Sequence, residues 1–141
     1  MEKEMKIAVR YYTRSGNTEK LAKAIAEAVG VQAETVTETL HEKTDIVFLG
    51  CSYYAFDVDE AVKSFLFDNK ENIGKVVCFG TSAMMKSTHK PIRRITHAAG
   101  VVLSGTEFHC RGSFGPMHKG HPDKQDLTNA AAFAKMVIDQ N

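Results

Sequence analysis

Thr13-Arg14-Ser15-Gly16-Asn17-Thr18 lies between a short apolar run, Ile7-Ala8-Val9 with Tyr11-Tyr12, and a segment of helical periodicity that opens near Thr18. Hydroxyl, glycine and amide groups crowd into the six positions where a strand hands over to a helix. Such a turn suits an anion, because backbone N–H groups and the positive end of the helix converge on it. Gly16 admits backbone conformations closed to other residues, and Thr13, Ser15, Asn17 and Thr18 supply uncharged donors. Two readings are open at this level: a phosphate-binding turn, or a helix start capped by Ser15 or Asn17. Gly-x-x-x-x-Gly-Lys-Ser/Thr and Gly-x-Gly-x-x-Gly do not occur in the sequence, which argues against a nucleotide triphosphatase loop and the usual dinucleotide fingerprint. The first strand ends in Tyr11-Tyr12 rather than acids, which argues against a metal-dependent phospho-receiver.

Working outward, the pattern alternates strands with helices. Lys6–Tyr12 reads as a buried strand and Thr18–Val29 as an amphipathic helix, with Leu21, Ile25, Ala28 and Val29 facing inward and Gly30 as its stop. Val31–Val36 alternates as a half-covered edge strand does, and a polar connector, Thr37–Thr44, follows. Asp45–Cys51 and Lys75–Gly80 are nearly continuous apolar runs, as expected of central parallel strands buried on both faces. Between them lie a loop, Ser52–Asp57, and a helix, Val58–Asn69, that turns Ala61, Val62, Phe65 and Leu66 inward. After the loop Thr81–Thr88, Pro91 fits the first turn of a helix ending at Gly100. Val101–Cys110 contains a fifth strand, broken or bulged near Ser104-Gly105; Arg111–His121 is irregular and basic. A last helix runs from Asp123, burying Leu127, Ala131, Phe133 or Ala134, and Val137. This alternation predicts a parallel sheet with helices on both faces. Ligands bind such sheets beyond the strand carboxyl ends, so Thr13–Thr18, Ser52–Asp57 and Thr81–Thr88 are the candidate site loops.

Composition sets bounds on function. A chain of 141 residues is the length of one domain, and 43% hydrophobic with 25% charged residues is ordinary globular composition. A net charge of +1 points to neither nucleic acid nor an anionic membrane as partner. The charged start, Met1 to Lys6, lacks a signal-peptide core, and with three widely spaced cysteines outside any Cys-x-x-Cys it suggests a reducing, cytoplasmic setting. Cys51, Cys78 and Cys110 read as buried or site-lining thiols. His109, Cys110, His118 and His121 invite zinc, but their spacing matches no compact tetrahedral site and no metal is expected.

Three segments together resemble the flavodoxin family. Thr13-Arg14-Ser15-Gly16-Asn17-Thr18 is similar to that family's Ser/Thr-x-Ser/Thr-Gly-x-Thr loop, which wraps the phosphate of flavin mononucleotide (FMN). Gly50-Cys51-Ser52-Tyr53-Tyr54 resembles its Gly-Cys-Ser/Pro-x-aromatic segment, and Cys78-Phe79-Gly80 with the small residues after it resembles its second flavin-contacting loop. The resemblance covers nearly the whole chain and implies a three-layer, doubly wound, five-stranded parallel sheet of order 2-1-3-4-5. It implies that FMN contacts Thr13, Arg14, Ser15, Gly16, Asn17, Thr18, Ser52, Tyr53, Tyr54, Ala55, Thr81, Ser82 and Ala83, with Tyr54 as principal stacking platform and Tyr53 and Phe56 as alternatives. Stacking of that kind contributes about 0.5–1.5 kcal/mol beyond area burial.

Three positions or properties depart from the family. Met84-Met85-Lys86 stands where many flavodoxins place a second aromatic, and the chain lacks their strong acidity. Ala55 occupies a position often held by a glycine whose peptide flips on one-electron reduction, a flip that costs about 1–2 kcal/mol more with alanine. The resemblance implies an FMN-binding protein that passes electrons to a protein partner. The departures keep open an NAD(P)H- or quinone-linked oxidoreductase acting on a small quinone-like acceptor through the same pocket. A cofactor-free scaffold of the same fold is a third reading, against which the intact first loop argues.

Overall fold

The structure is a computed structural model that describes residues 5–13, 16–52, 60–82, 89–111 and 120–141. Five parallel strands, β1 (Ile7–Tyr11), β2 (Ala33–Thr35), β3 (Ile46–Ser52), β4 (Val76–Ser82) and β5 (Leu103–Arg111), form one sheet in the order β2-β1-β3-β4-β5. Between and after them run α1 (Asn17–Val29), α2 (Glu60–Asp68), α3 (His89–Ala99) and α4 (Lys124–Asp139). This is the doubly wound sheet of order 2-1-3-4-5 that the resemblance implied. The winding reverses between β1 and β3, whose register runs from Ile7 opposite Ile46 to Tyr11 opposite Gly50.

The two central strands show why the apolar runs are continuous. Val47, Leu49 and Cys51 of β3 with Val76 and Cys78 of β4 pack on one face against Val62, Phe65 and Leu66 of α2 and Ile92 and Ile95 of α3. Ile46, Phe48, Val77 and Phe79 point the other way, into Leu21, Ala22, Ile25 and Ala26 of α1 and Ala130, Phe133, Ala134 and Val137 of α4. A strand covered on both faces has no position for a polar side chain, so the period of two vanishes from its hydropathy.

The inward faces of α1 and α4 differ from the sequence reading by one helical position. Ala22 and Ala26 are buried, while Ala28 is half-exposed; Ala130 is fully buried, while Ala131 is half-exposed. Both helices border each other as well as the sheet, and that second contact rotates the buried stripe. The edge strand is three residues rather than six, because pairing to β1 covers Val9–Tyr11 opposite Ala33–Thr35 and goes no further. The irregularity expected near Ser104-Gly105 is a bulge rather than a break: Val76 pairs with Leu103 but Cys78 with Glu107, so β5 carries two extra residues there.

One element was not foreseen. Arg10 lies within β1 and is 8% exposed, yet it is fully engaged. Its guanidinium donates to the carbonyls of Glu38 (3.0 Å) and Val9 (3.2 Å) and pairs with Glu34 across the strand at 3.3 Å. Together with Asn69, whose side-chain oxygen accepts from Leu40 N–H at 2.9 Å, it ties the 37–44 connector onto the sheet. A short 3-10 turn, Lys70–Asn72, precedes β4 and completes that anchor, with Asn72 donating to the Leu40 carbonyl at 3.1 Å. Among the described residues, no helix is long and apolar enough to cross a membrane.

Candidate functional site

Parallel strands place the carboxyl ends of β1, β3 and β4 on one edge of the sheet, so the three candidate loops start side by side. Residue Ser52 is in register with Thr81, and Gly50 with Phe79. At the end of β1, Thr13 Oγ1 accepts a hydrogen bond from Gly16 N–H at 2.9 Å. A hydroxyl that accepts in this way keeps its own proton to donate.

Gly16 is the N-cap of α1, with φ 87° and ψ −4°. That left-handed conformation is strained for any residue with a side chain, which accounts for glycine at this position. The cap is therefore neither Ser15 nor Asn17, and Asn17 is the first helical residue. A glycine cap brings no side-chain oxygen to the helix end, so the positive end of the helix dipole is not offset there by its own cap residue. Glu19, the acid in the first turn, is held aside: its carboxylate accepts from Tyr11 Oη at 3.0 Å and lies 3.5 Å from Lys23 Nζ. Burial, then the hydrogen bond to Glu19, raises the Tyr11 phenol above its ordinary pKa.

Thr18 and Thr81 tie two of the loops together. Both are buried, and their hydroxyl oxygens lie 3.2 Å apart. To make that contact Thr18 passes over β3 at Gly50. A β-carbon at Gly50 would overlap Cε2 and Cζ of the Phe79 ring and stand 2.9 Å from Thr18 Cγ2. Gly50 is thus a position where close packing of Phe79 and Thr18 leaves no room for a side chain; a glycine inside an otherwise apolar strand is the sequence signal for such a close approach.

Of the expected flavin contacts, the structure brings Thr13, Gly16, Asn17, Thr18 and Thr81 to this edge, and the backbones of Ser52 and Ser82 end β3 and β4 beside them. Arg14, Ser15, Tyr53, Tyr54, Ala55 and Ala83 lie outside the described residues, as do Phe56 and Met84-Met85-Lys86.

The three cysteines are thiols outside any disulfide. Burial, reinforced by neighbouring Cys51, drives the Cys78 thiol well above its ordinary pKa, so it behaves as a small apolar group. Cys110 is pushed up to about 12, first by burial and then by the carboxylates of Asp126 and Asp123. Among the described residues, the cluster of metal-capable groups is His121 with Asp123 and Asp126, donor atoms within 4.8 Å of one another; neither His109 nor Cys110 belongs to it, and His118 lies outside the described residues. These carboxylates have structural work: Asp123 and Asp126 form a reciprocal capping box at the start of α4, and His121 Nδ1 lies 2.7 Å from Asp126 Oδ2.

That contact has a pH signature. The hydrogen bond to Asp126 raises the pKa of His121 above 6.5. Burial works to raise that of Asp126, but the bonds from His121 and the Asp123 backbone prevail and hold it below 3.8. A raised histidine stabilises the fold fully below pH 6.5 and loses that contribution as pH climbs through its folded pKa. A lowered aspartate contributes above pH 3.8 and is lost as pH falls through its own folded pKa. The stability advantage of the wild type over His121→Gln is therefore expected to be greatest between those limits and to decline on both sides. NMR titration of the His121 ring above 6.5 accompanies it; a pH-independent difference between the two proteins contradicts the assignment.

Comparison with known proteins places this site in context. No family model matches the chain. An uncharacterised protein of Methanocaldococcus jannaschii is 29% identical, the match covering 86% of this chain and 90% of that one. Among solved structures, a flavodoxin from the domain Archaea superposes with a TM-score of 0.75 at 17% identity, covering 96% of this chain and 98% of its own. Oxidised flavodoxin 1 from Bacillus cereus gives 0.67 at 16% identity, with 96% and 98% covered. The chain has the flavodoxin-like fold.

Proposed function

We propose that this chain is a single-domain, cytoplasmic FMN-binding redox protein of flavodoxin type that mediates electron transfer. The observation that carries the reading is the start of α1. A left-handed glycine N-cap lies at the point where the winding reverses, beside the Thr18–Thr81 pair that joins the β1 and β4 ends. The donor chemistry fits a phosphate monoester: hydroxyls, a side-chain amide and a helix N-terminus offset its charge without a lysine.

In this reading Thr13, Arg14, Ser15, Gly16, Asn17 and Thr18 hold the phosphate. Tyr53, Tyr54 and Ala55, following Ser52, hold one part of the ring system, and Thr81, Ser82 and Ala83 another. Bound FMN supplies reversible acceptance of one or two electrons. The protein's part is to bind, orient and screen the ring from water: the aromatic platform stacks, and a loop of small residues exposes backbone donors and acceptors to the ring edge. A net charge of +1 favours a second reading, since it repels an anionic reduced cofactor less than a strongly acidic shell does. That reading is an NAD(P)H- or quinone-linked oxidoreductase using the same pocket.

Purified protein is expected to bind FMN at one equivalent, with flavin bands in the visible spectrum and FMN released on heating. Tyr54→Ala is expected to weaken binding and raise the emission of bound flavin more than Tyr53→Ala or Phe56→Ala does, because ring contact with tyrosine quenches it. Failure to bind FMN removes the proposal, and a larger effect at Tyr53 shifts the platform by one residue. Turnover of a quinone with NAD(P)H selects the oxidoreductase reading over the carrier.

A further inference from the structure

The outer faces of α1 and α4 meet in a groove of about 640 Å³ that the flavin site does not use. Its floor is apolar and shallow: Ala24 and Ala28 on α1, Leu127 and Ala131 on α4, each half-exposed. Its rims are cationic. Lys20 and Lys23 on one side face Lys124 and Lys135 on the other, all exposed, against a single glutamate, Glu27. The groove thus carries a net +3, whereas the whole chain carries +1, so the remaining surface is net negative.

This concentration is not explained by folding. Lys20 stands four residues into α1 and Lys124 opens α4, near helix ends where a cation opposes the dipole. The Lys23–Glu19 pair at 3.5 Å is exposed on both sides, and an exposed pair of that kind holds Lys23 weakly. From these observations we infer that the α1/α4 groove is a docking site for an acidic amphipathic helix of a partner protein.

The shape selects this occupant among anionic ones. Alanines along the floor let a partner backbone approach closely, and they need apolar side chains opposite them rather than headgroups or phosphates. Helical anchors at i, i+3, i+4 and i+7 meet a floor of this kind, and acids flanking them meet the lysine rims. A flat membrane does not descend between two lysine rims, and duplex DNA asks for a broader basic surface than four lysines. The length agrees too: α1 has 13 residues and α4 has 16, room for a helix of about four turns.

The inference is independent of the flavin reading and is tested on the protein as purified. The probe is a synthetic peptide of about 18 residues, enough to span α4 at 1.5 Å per residue, with leucines on one helical face and glutamates beside them. A scrambled peptide of identical composition, anionic phosphatidylglycerol vesicles and duplex DNA serve as competitors. Saturable binding is expected, with NMR amide shifts confined to α1 and α4 and affinity falling as salt shortens the screening length from about 30 to 8 Å.

Lys20→Glu/Lys135→Glu is expected to weaken the peptide about tenfold, while Lys43→Glu/Lys70→Glu, the same charge change on other exposed lysines, leaves it within about twofold. Unchanged thermal unfolding of both pairs separates docking from misfolding. Equal binding of the scrambled peptide, equal loss in the two double variants, or preference for vesicles or DNA overturns the proposal.

Discussion

Gly50→Ala is expected to be among the most damaging single-methyl insertions in this chain. The new β-carbon overlaps the far end of the Phe79 ring and presses on Thr18 Cγ2 at 2.9 Å. Neither neighbour has room to retreat: Phe79 and Thr18 are each 0% exposed. Phe79 is packed between β3, α1 and α4, and Thr18 is fixed at the start of α1 by its contact with Thr81. Overpacking of a filled core costs about 1–3 kcal/mol, and a site closed on both sides belongs at the upper end. At about 3 kcal/mol the folding equilibrium shifts more than a hundredfold and Tm drops by roughly 10 °C.

The same displacement moves Thr18 and the turn before it, so FMN affinity is expected to fall in the fraction that still folds. Phe79→Leu removes the ring atoms that a β-carbon at Gly50 would meet. The double variant Gly50→Ala/Phe79→Leu is therefore expected to be more stable than the sum of the single changes, with a coupling of about 1 kcal/mol or more. Additive losses in chemical denaturation would show that the strand shifts to absorb the methyl and that the Phe79 ring is not what opposes it.

The parts of this fold legible in the sequence are those where one local pattern has one structural solution. Asp45–Cys51 and Lys75–Gly80 could hardly be anything but doubly covered strands, and they are the centre of the sheet. Ser104-Gly105 interrupts a strand with residues that pack poorly, and the two extra residues of β5 fall there. What escaped the reading is set by contacts distant in sequence. Arg10 looks out of place in a buried strand until Glu34, Glu38 and Thr39 arrive around it from the next element and its connector. Ala28 and Ala131 fit an inward stripe on an isolated helical wheel, but where α1 and α4 border one another the stripe turns and leaves both in the groove.

The site divides in the same way. That a strand hands over to a helix between Thr13 and Thr18 was readable in the sequence, because a strand-to-helix turn is a local event. That Gly16 rather than Ser15 or Asn17 caps the helix follows from a positive φ, which residue type permits but does not dictate. The Thr18–Thr81 bridge spans 63 positions of sequence, and no local pattern announces it.

Ser15→Ala is expected to lower FMN affinity at least tenfold and to leave riboflavin affinity nearly unchanged. A hydroxyl that donates to a phosphate dianion makes a charge-assisted hydrogen bond, worth about 1.5–3 kcal/mol, and each 1.4 kcal/mol is a factor of ten. Riboflavin shares the ring and the ribityl chain but lacks the phosphate, so the ratio of the two losses isolates the turn from the ring site. Thr18→Val is the informative companion. It keeps the methyl that lies over Gly50 but removes a buried oxygen that lies 3.2 Å from Thr81 Oγ1, so it is expected to lower thermal stability as well as FMN affinity. Ser15→Ala, in contrast, is expected to leave unfolding of the FMN-free protein unchanged.

Isothermal titration with both ligands, paired with thermal unfolding of each variant without ligand, reads all of these effects. If Ser15→Ala weakens FMN and riboflavin equally, the turn supports the ring rather than the phosphate, and the anion site must be sought elsewhere on the edge where β1, β3 and β4 end. If Thr18→Val lowers stability with no change for either ligand, the threonine pair is a brace between the β1 and β4 ends and the phosphate contacts reduce to the residues before it.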